Sequence, residues 1–207
     1  MNATFFPPTL LKPLLRLGLI FALGLLLAPP TWAQAAAKAV PLSNATIFII
    51  RHAEKPKDGE GLAPEGEKRA QAYVNYFPSL RVNKQPLKLE HLFATADSKN
   101  SMRPRLTLEP LSRALKLPLD LRFEAEDFKA LAKEVRTKDH GKALLICWHH
   151  GTIPELLSEL GVNPAQLLPH GEWPDDVFNW VIELRYNAEG RLMPKHSQRI
   201  AMRWAAP

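Results

Sequence analysis

Apolar residues run without a break through Ile47-Phe48-Ile49-Ile50, and Lys142-Ala143-Leu144-Leu145-Ile146-Cys147-Trp148 is another apolar run. Runs of this length predict strands buried on both faces, as in a parallel sheet. The first stops at Arg51-His52 and the second at His149-His150. His91-Leu92-Phe93-Ala94-Thr95 predicts a shorter strand that opens into Ala96-Asp97-Ser98. Between these runs the period changes. From Glu65 to Phe77, a helix carries Ala70, Tyr73, Val74 and Phe77 on one face, with Pro64 in its first turn and Pro78 as its stop. A second helix starts at Arg103 or Arg105 and reaches Leu115, with Leu108, Leu111 and Leu115 on its apolar face. Arg81 to Lys88 reads as a polar connection.

The later pattern is similar. Leu119-Asp120-Leu121-Arg122-Phe123 alternates and predicts a strand with one polar face. Phe128 to Arg136 predicts a helix with Asp127 as its N-cap, and Ile153 to Leu160 another, ended by Gly161. Asn163 to Asp176 is irregular, interrupted by Pro164, Pro169 and Pro174. Val177 to Tyr186 predicts a strand, Asn187-Ala188-Glu189-Gly190 a turn, and Gln198 to Trp204 a last strand. Strands alternating with helices imply an α/β class, here a three-layer α/β/α sandwich with a mostly parallel sheet. Right-handed crossovers bring the carboxyl ends of the early strands to one edge, where ligands bind in open α/β sheets.

The N-terminus follows another logic. Lys12 and Arg16 precede an apolar stretch from Leu17 to Ala28, and Thr31-Trp32-Ala33-Gln34-Ala35 follows two prolines. A basic region, an apolar region and an Ala-x-Ala site together predict a secretory signal over residues 1–35, cut after Ala35 or Ala33. Residues 36–44 then form a linker, and 45–207 one domain. The apolar stretch is shorter than the roughly 20 residues of a spanning helix, so no stable membrane anchor is expected after cleavage. The expected location is periplasmic or secreted. Loss of Lys12 and Arg16, with no acid, takes the net charge from +6 to +4. The cations are scattered, which argues against nucleic acid as a partner. One cysteine excludes an internal disulfide framework. Cys147 reads as a small core residue, since burial would raise its pKa.

The strand ends hold the candidate chemistry. An arginine offers a rigid fork of donors for phosphate oxygens, and a neutral imidazole can attack phosphorus and carry the phosphoryl group. Arg51-His52, His149-His150 and the basic start of the Arg103 helix would converge on such an anion. The His149-His150 pair makes a poor metal site, with no His-x-x-x-His helix and no carboxylate at ligand spacing. No metal or other cofactor is expected.

In order, Arg51-His52-Ala53, Arg103-Pro104-Arg105-Leu106-Thr107 and His149-His150-Gly151-Thr152-Ile153-Pro154 resemble the motifs of the histidine phosphatase superfamily, in particular its "RHAEKP" members. Gly61-Leu62-Ala63-Pro64-Glu65-Gly66 is similar to that family's first helix entry. Ala53 stands where the general motif has Gly, and Gly151 where it has Asn. The resemblance covers Ile47 to Pro154 and implies a phosphoglycerate mutase-like fold. It implies His52 as nucleophile, and Arg51, Arg103 and His149 as phosphate-binding residues. By its Arg-x-x-x-Thr spacing Arg103 is preferred over Arg105, and His149 over His150 by its distance to Thr152.

A carboxylate that protonates the leaving oxygen is also implied. Glu124, Glu126 and Asp127 qualify, and Glu124, nearest the strand end, is chosen. Glu54 and Lys55 read as solvated loop charges, and residues 169–176 as either a substrate rim or a plain surface loop. The expected function is hydrolysis of a small phosphorylated substrate through phospho-His52. The alternatives are a non-catalytic phospho-ligand binding module on the same fold and a phosphomutase.

Overall fold

The computed structural model describes Met1 and residues 40–82 and 84–203. Residues 2–35 of the expected signal segment, and Trp204, lie outside the described residues. Along the chain run β1 (Thr46–Arg51), α1 (Pro64–Ser79), β2 (Arg81–Val82), β3 (Gln85–Pro86), β4 (His91–Ala94), α2 (Arg103–Leu115), β5 (Leu119–Asp120) and α3 (Phe128–Thr137). They are followed by β6 (Ala143–Trp148), α4 (Ile153–Glu159), β7 (Trp180–Arg185) and β8 (Gln198–Ala201). Among the described residues no helix is long and apolar enough to cross a membrane.

Six strands form one sheet in the order β5-β4-β6-β1-β7-β8. The first four are parallel, whereas β7 and β8 return antiparallel. Side chains alternate across a strand, so each unbroken apolar run supplies two cores. Ile47 and Ile49 join Leu144, Ile146 and Trp148 beneath α3 and α4, where Leu131, Val135, Leu156 and Leu157 pack. Phe48 and Ile50 join Leu145 and Cys147 on the other face, against Tyr73 and Phe77 of α1 and Leu108 and Leu111 of α2. The result is the three-layer α/β/α sandwich that the periodicity implies.

Several boundaries differ from the sequence reading. The polar connection after α1 closes as the small hairpin β2–β3. β5 is cut to Leu119–Asp120, because Asp120 turns back to accept from the Arg122 backbone N–H (3.2 Å) and to pair with its guanidinium (2.6 Å). β7 starts three residues late. Val177 spends its carbonyl elsewhere, accepting from Trp173 Nε1 at 2.7 Å and Arg51 Nη1 at 3.2 Å, and contact with β8 begins only at Asn179, whose O accepts from Met202 N–H at 2.7 Å. Part of the expected linker is packed, since Leu42 is buried in the core and Asn44 N–H donates to Asn187 O at 2.8 Å. Asp127 stands at the N-cap position of α3 without a side-chain bond to the helix. Its carboxylate instead accepts from the Glu124 N–H at 3.0 Å.

One approach is unusually close. A Cβ on Gly66 would lie 2.5 Å from Glu54 O and 3.0 Å from Glu54 N, so the first turn of α1 rests directly on the loop after β1. Ala63 N–H donates to that same carbonyl at 2.9 Å, and Arg69, one turn on, pairs with the Glu54 carboxylate at 2.5 Å. Glu54 is therefore a tether between α1 and the β1 loop rather than a solvated charge. Gly66→Ala is expected to cost about 1–3 kcal/mol of stability, the usual penalty for overpacking. Urea denaturation measures it, and an unchanged midpoint would mean that α1 can back away without loss.

Candidate active site

The parallel register positions the site. Arg51 of β1 lies opposite Trp148 of β6, and Ala94 of β4 opposite Cys147. The ladder continues one step past each strand, with His52 N–H to Trp148 O at 3.0 Å and Thr95 N–H to Cys147 O at 3.2 Å. His52, His149 and Thr95 thus emerge together at the carboxyl edge. Because β7 runs antiparallel to β1, the segment leading into β7 comes to this edge as well.

His52 is buried, with 2% of its surface exposed. Its Nδ1 lies 2.7 Å from Ala53 O. A carbonyl only accepts, so Nδ1 carries the proton and Nε2 keeps its lone pair. Burial, and then the charges of Arg51, His149 and Arg103, pull its pKa down to about 3 against the pull of the Ala53 hydrogen bond. His149 lies with its ring centroid 5.2 Å from that of His52. Burial and the neighbouring Arg103, His150 and Arg51 lower its pKa to about 4. Both rings are therefore neutral at pH 7 and able to act as nucleophile or hydrogen-bond partner.

α2 delivers Arg103 at its first residue. Thr107 sets its place. The Thr107 hydroxyl donates to Arg103 O at 2.7 Å and accepts from the Ala53 N–H at 2.8 Å. The Arg-x-x-x-Thr spacing is thus a clamp between the first turn of α2 and the loop of His52, a role the motif alone does not reveal. Arg103 Nη1 donates to Gly59 O at 3.3 Å, while its Nε is buried without a hydrogen-bond partner. The rival Arg105 is committed to Asp97 at 2.8 Å and Glu109 at 3.5 Å.

Arg51, only 2% exposed, is held by the segment before β7. Its Nη1 donates to Pro174 O (3.0 Å), Asp175 O (2.9 Å) and Val177 O (3.2 Å). Its guanidinium carbon sits 3.9 Å over the Phe178 ring, a cation–π contact. Its Nη2 lies 3.1 Å from His150 Nδ1. Burial lowers its pKa to about 10, which leaves it charged at neutral pH. Arg51 Nε, like Arg103 Nε, has no hydrogen-bond partner. Two buried arginine N–H groups without acceptors, beside two neutral imidazoles, fit the oxygens of a tetrahedral anion. The Pro174–Phe178 segment, which joins the expected rim or loop to the start of the expected strand, is a cradle for Arg51.

His150 lies a little farther off than its neighbour, with its ring centroid 6.0 Å from that of His52. Both of its nitrogens are occupied, by Arg51 and by Asp175 Oδ1 at 2.7 Å. His149 has no hydrogen bond through its ring among the described residues, and it lines a cavity of about 440 Å³ with residues 95–99 and 124–126. Glu124 and Glu126 both line that cavity, whereas Asp127 is turned onto the Glu124 amide. Gly151, where the related motif has Asn, has open space around its Cβ direction. Cys147 is fully buried, and burial pushes its thiol pKa up, as expected of a core residue.

No protein-family model and no curated protein matches the sequence. Solved structures do match. A protein named as an alpha-ribazole-5'-P phosphatase from Escherichia coli aligns with TM-score 0.51 at 12% identity, over 73% of this chain and 95% of that one. A protein named as a phosphohistidine phosphatase SixA from Agrobacterium tumefaciens aligns with TM-score 0.50 at 14% identity, over 72% and 96%. The protein histidine phosphatase SixA complexed with tungstate aligns with TM-score 0.47 at 18% identity, over 72% and 92%. The chain has the fold of the histidine phosphatase superfamily. In this histidine phosphatase fold, the residues picked out by motif, His52, His149, Arg51 and Arg103, surround one edge of the sheet.

The lowered histidine pKa values link stability to acid. Between their unfolded value near 6.5 and folded values of about 3 and 4, the unfolded chain binds more protons than the folded one. The contribution of both groups to stability is thus whole above pH 6.5 and is lost as pH falls through that window. His52→Asn is expected to flatten part of this slope, read from urea midpoints across pH 4 to 7. An unchanged slope would mean that His52 does not stay neutral in the folded protein.

Proposed function

We propose that the protein is a phosphatase that hydrolyses small phosphomonoesters through a phosphohistidine on His52. The observation that carries this reading is the state of His52. Its Nδ1–H is bound to Ala53 O, which leaves the Nε2 lone pair available, and Arg51 and Arg103, whose charges act on this ring, each keep an Nε–H without an acceptor. His52 Nε2 attacks phosphorus, and the bond to the leaving oxygen breaks. Charge in such a transition state spreads over the phosphoryl oxygens, which Arg51, Arg103 and His149 bind. Glu124, on the cavity shared with His149, gives its proton to the leaving oxygen. It then takes one from the water that attacks phospho-His52, releasing inorganic phosphate and the free imidazole.

A nucleophile with a pKa of about 3 stays neutral in moderate acid, so loss of His52 nucleophilicity does not limit activity down to about pH 5. This supports an acid-phosphatase type of enzyme. The leader-like N-terminus supports a periplasmic or secreted location, tested by cell fractionation.

Hydrolysis of p-nitrophenyl phosphate by the chain from residue 36 tests the reading. Activity is expected to resist EDTA and to fall at least about a thousandfold in His52→Ala. Abolition by EDTA would overturn the metal-independent route. No turnover by a folded protein that inorganic phosphate still protects from heat would favour the binding module.

A further inference from the structure

The His150–Asp175 pair has no part in the reaction described above, yet both atoms of the His150 imidazole that can bond are used. Arginine has no acceptor, so the 3.1 Å contact with Arg51 Nη2 requires His150 Nδ1 to be unprotonated. The proton is then on Nε2 and is donated to Asp175 Oδ1 at 2.7 Å. Asp175 is 94% exposed at its side chain, and nothing about packing demands a carboxylate there. Its effect is to select the tautomer. In the other tautomer an N–H of His150 would face an N–H of Arg51.

The Arg51 guanidinium is consequently fixed at both ends. Nη1 is surrounded by three main-chain carbonyls, Nη2 is drawn to the imidazole, and the plane lies on Phe178. The donors left over are Nε–H, which has no acceptor, and the second Nη2 proton. We propose that His150 and Asp175 are positioning residues that lock the Arg51 guanidinium so that its remaining N–H groups meet the phosphoryl oxygens. Neither residue touches the substrate. The inference rests on the phosphate-site reading given above, and extends it from the arginine to the pair that sets the arginine's orientation.

The test is a double-mutant cycle read by two probes, turnover of p-nitrophenyl phosphate and calorimetric affinity for inorganic phosphate. Asp175→Ala and His150→Ala are each expected to weaken phosphate binding and to lower kcat/KM, His150→Ala by roughly tenfold or more, as for loss of a hydrogen bond to a charged group. His150→Gln, whose carbonyl oxygen can accept from Arg51, and Asp175→Asn, which can still accept from Nε2–H, are expected to recover most of each loss. In an Arg51→Ala background neither alanine variant should cause a further loss, because both act through that side chain. Wild-type phosphate affinity in Asp175→Ala, or equal losses with and without Arg51, would overturn the proposal. The exposed Asp175 keeps the test open even where His150→Ala does not fold. Phosphate binding without turnover in the wild type would sink the phosphatase reading alone, with the pair still judged by affinity. Neither binding nor turnover would sink both.

Discussion

The parallel pairing of β1 with β6 governs this molecule. It joins Arg51 to Trp148 across the sheet, and one further ladder bond, His52 N–H to Trp148 O, carries the register beyond the last paired residues. Two histidines nearly a hundred positions apart in sequence arrive with their rings 5.2 Å apart for that reason. A slip of one residue would turn every side chain of β1 to the opposite face and exchange the contents of both cores. The same apolar packing that stabilises the sheet therefore also fixes where the imidazoles stand. Stability and site geometry are one constraint here.

On that frame the electrostatics are deliberately unbalanced. Two arginines are buried or half-buried near two imidazoles that burial keeps neutral. Positive charge without a matching acid in direct contact is costly in a protein interior. On the proposed function, an arriving phosphate dianion would relieve that cost, and the empty-handed donors would be a source of affinity. The main-chain anchors of Arg51 and the Thr107 clamp on α2 hold the donors in place beforehand, so little reorganisation is needed when charge develops.

Much of this was legible in the chain. Unbroken apolar runs marked the two central strands because each must fill two cores at once, and the motifs marked Arg51, His52, Arg103 and His149 as candidates. Edge elements were harder. Leu119 to Phe123 has strand alternation, yet Asp120 folds onto Arg122 and ends β5 early. Val177 to Asn179 has strand composition, yet the carbonyl of Val177 serves Arg51 and Trp173. Hydropathy records which side of a residue faces oil or water. It does not record which backbone carbonyl will serve a distant side chain, and so the cradle of Arg51 and the tether of Glu54 to Arg69 emerge only in three dimensions.

The cradle has one more implication. Arg51 Nη1 is held by carbonyl oxygens of Pro174, Asp175 and Val177, groups that every amino acid possesses. The path of the main chain, rather than the identity of its side chains, encodes this half of the anion site. Sequence drift at Pro174 and Val177 can therefore reshape the rim that a substrate meets while the guanidinium beneath stays put. A fold built in this way can change what it recognises without rebuilding what it does.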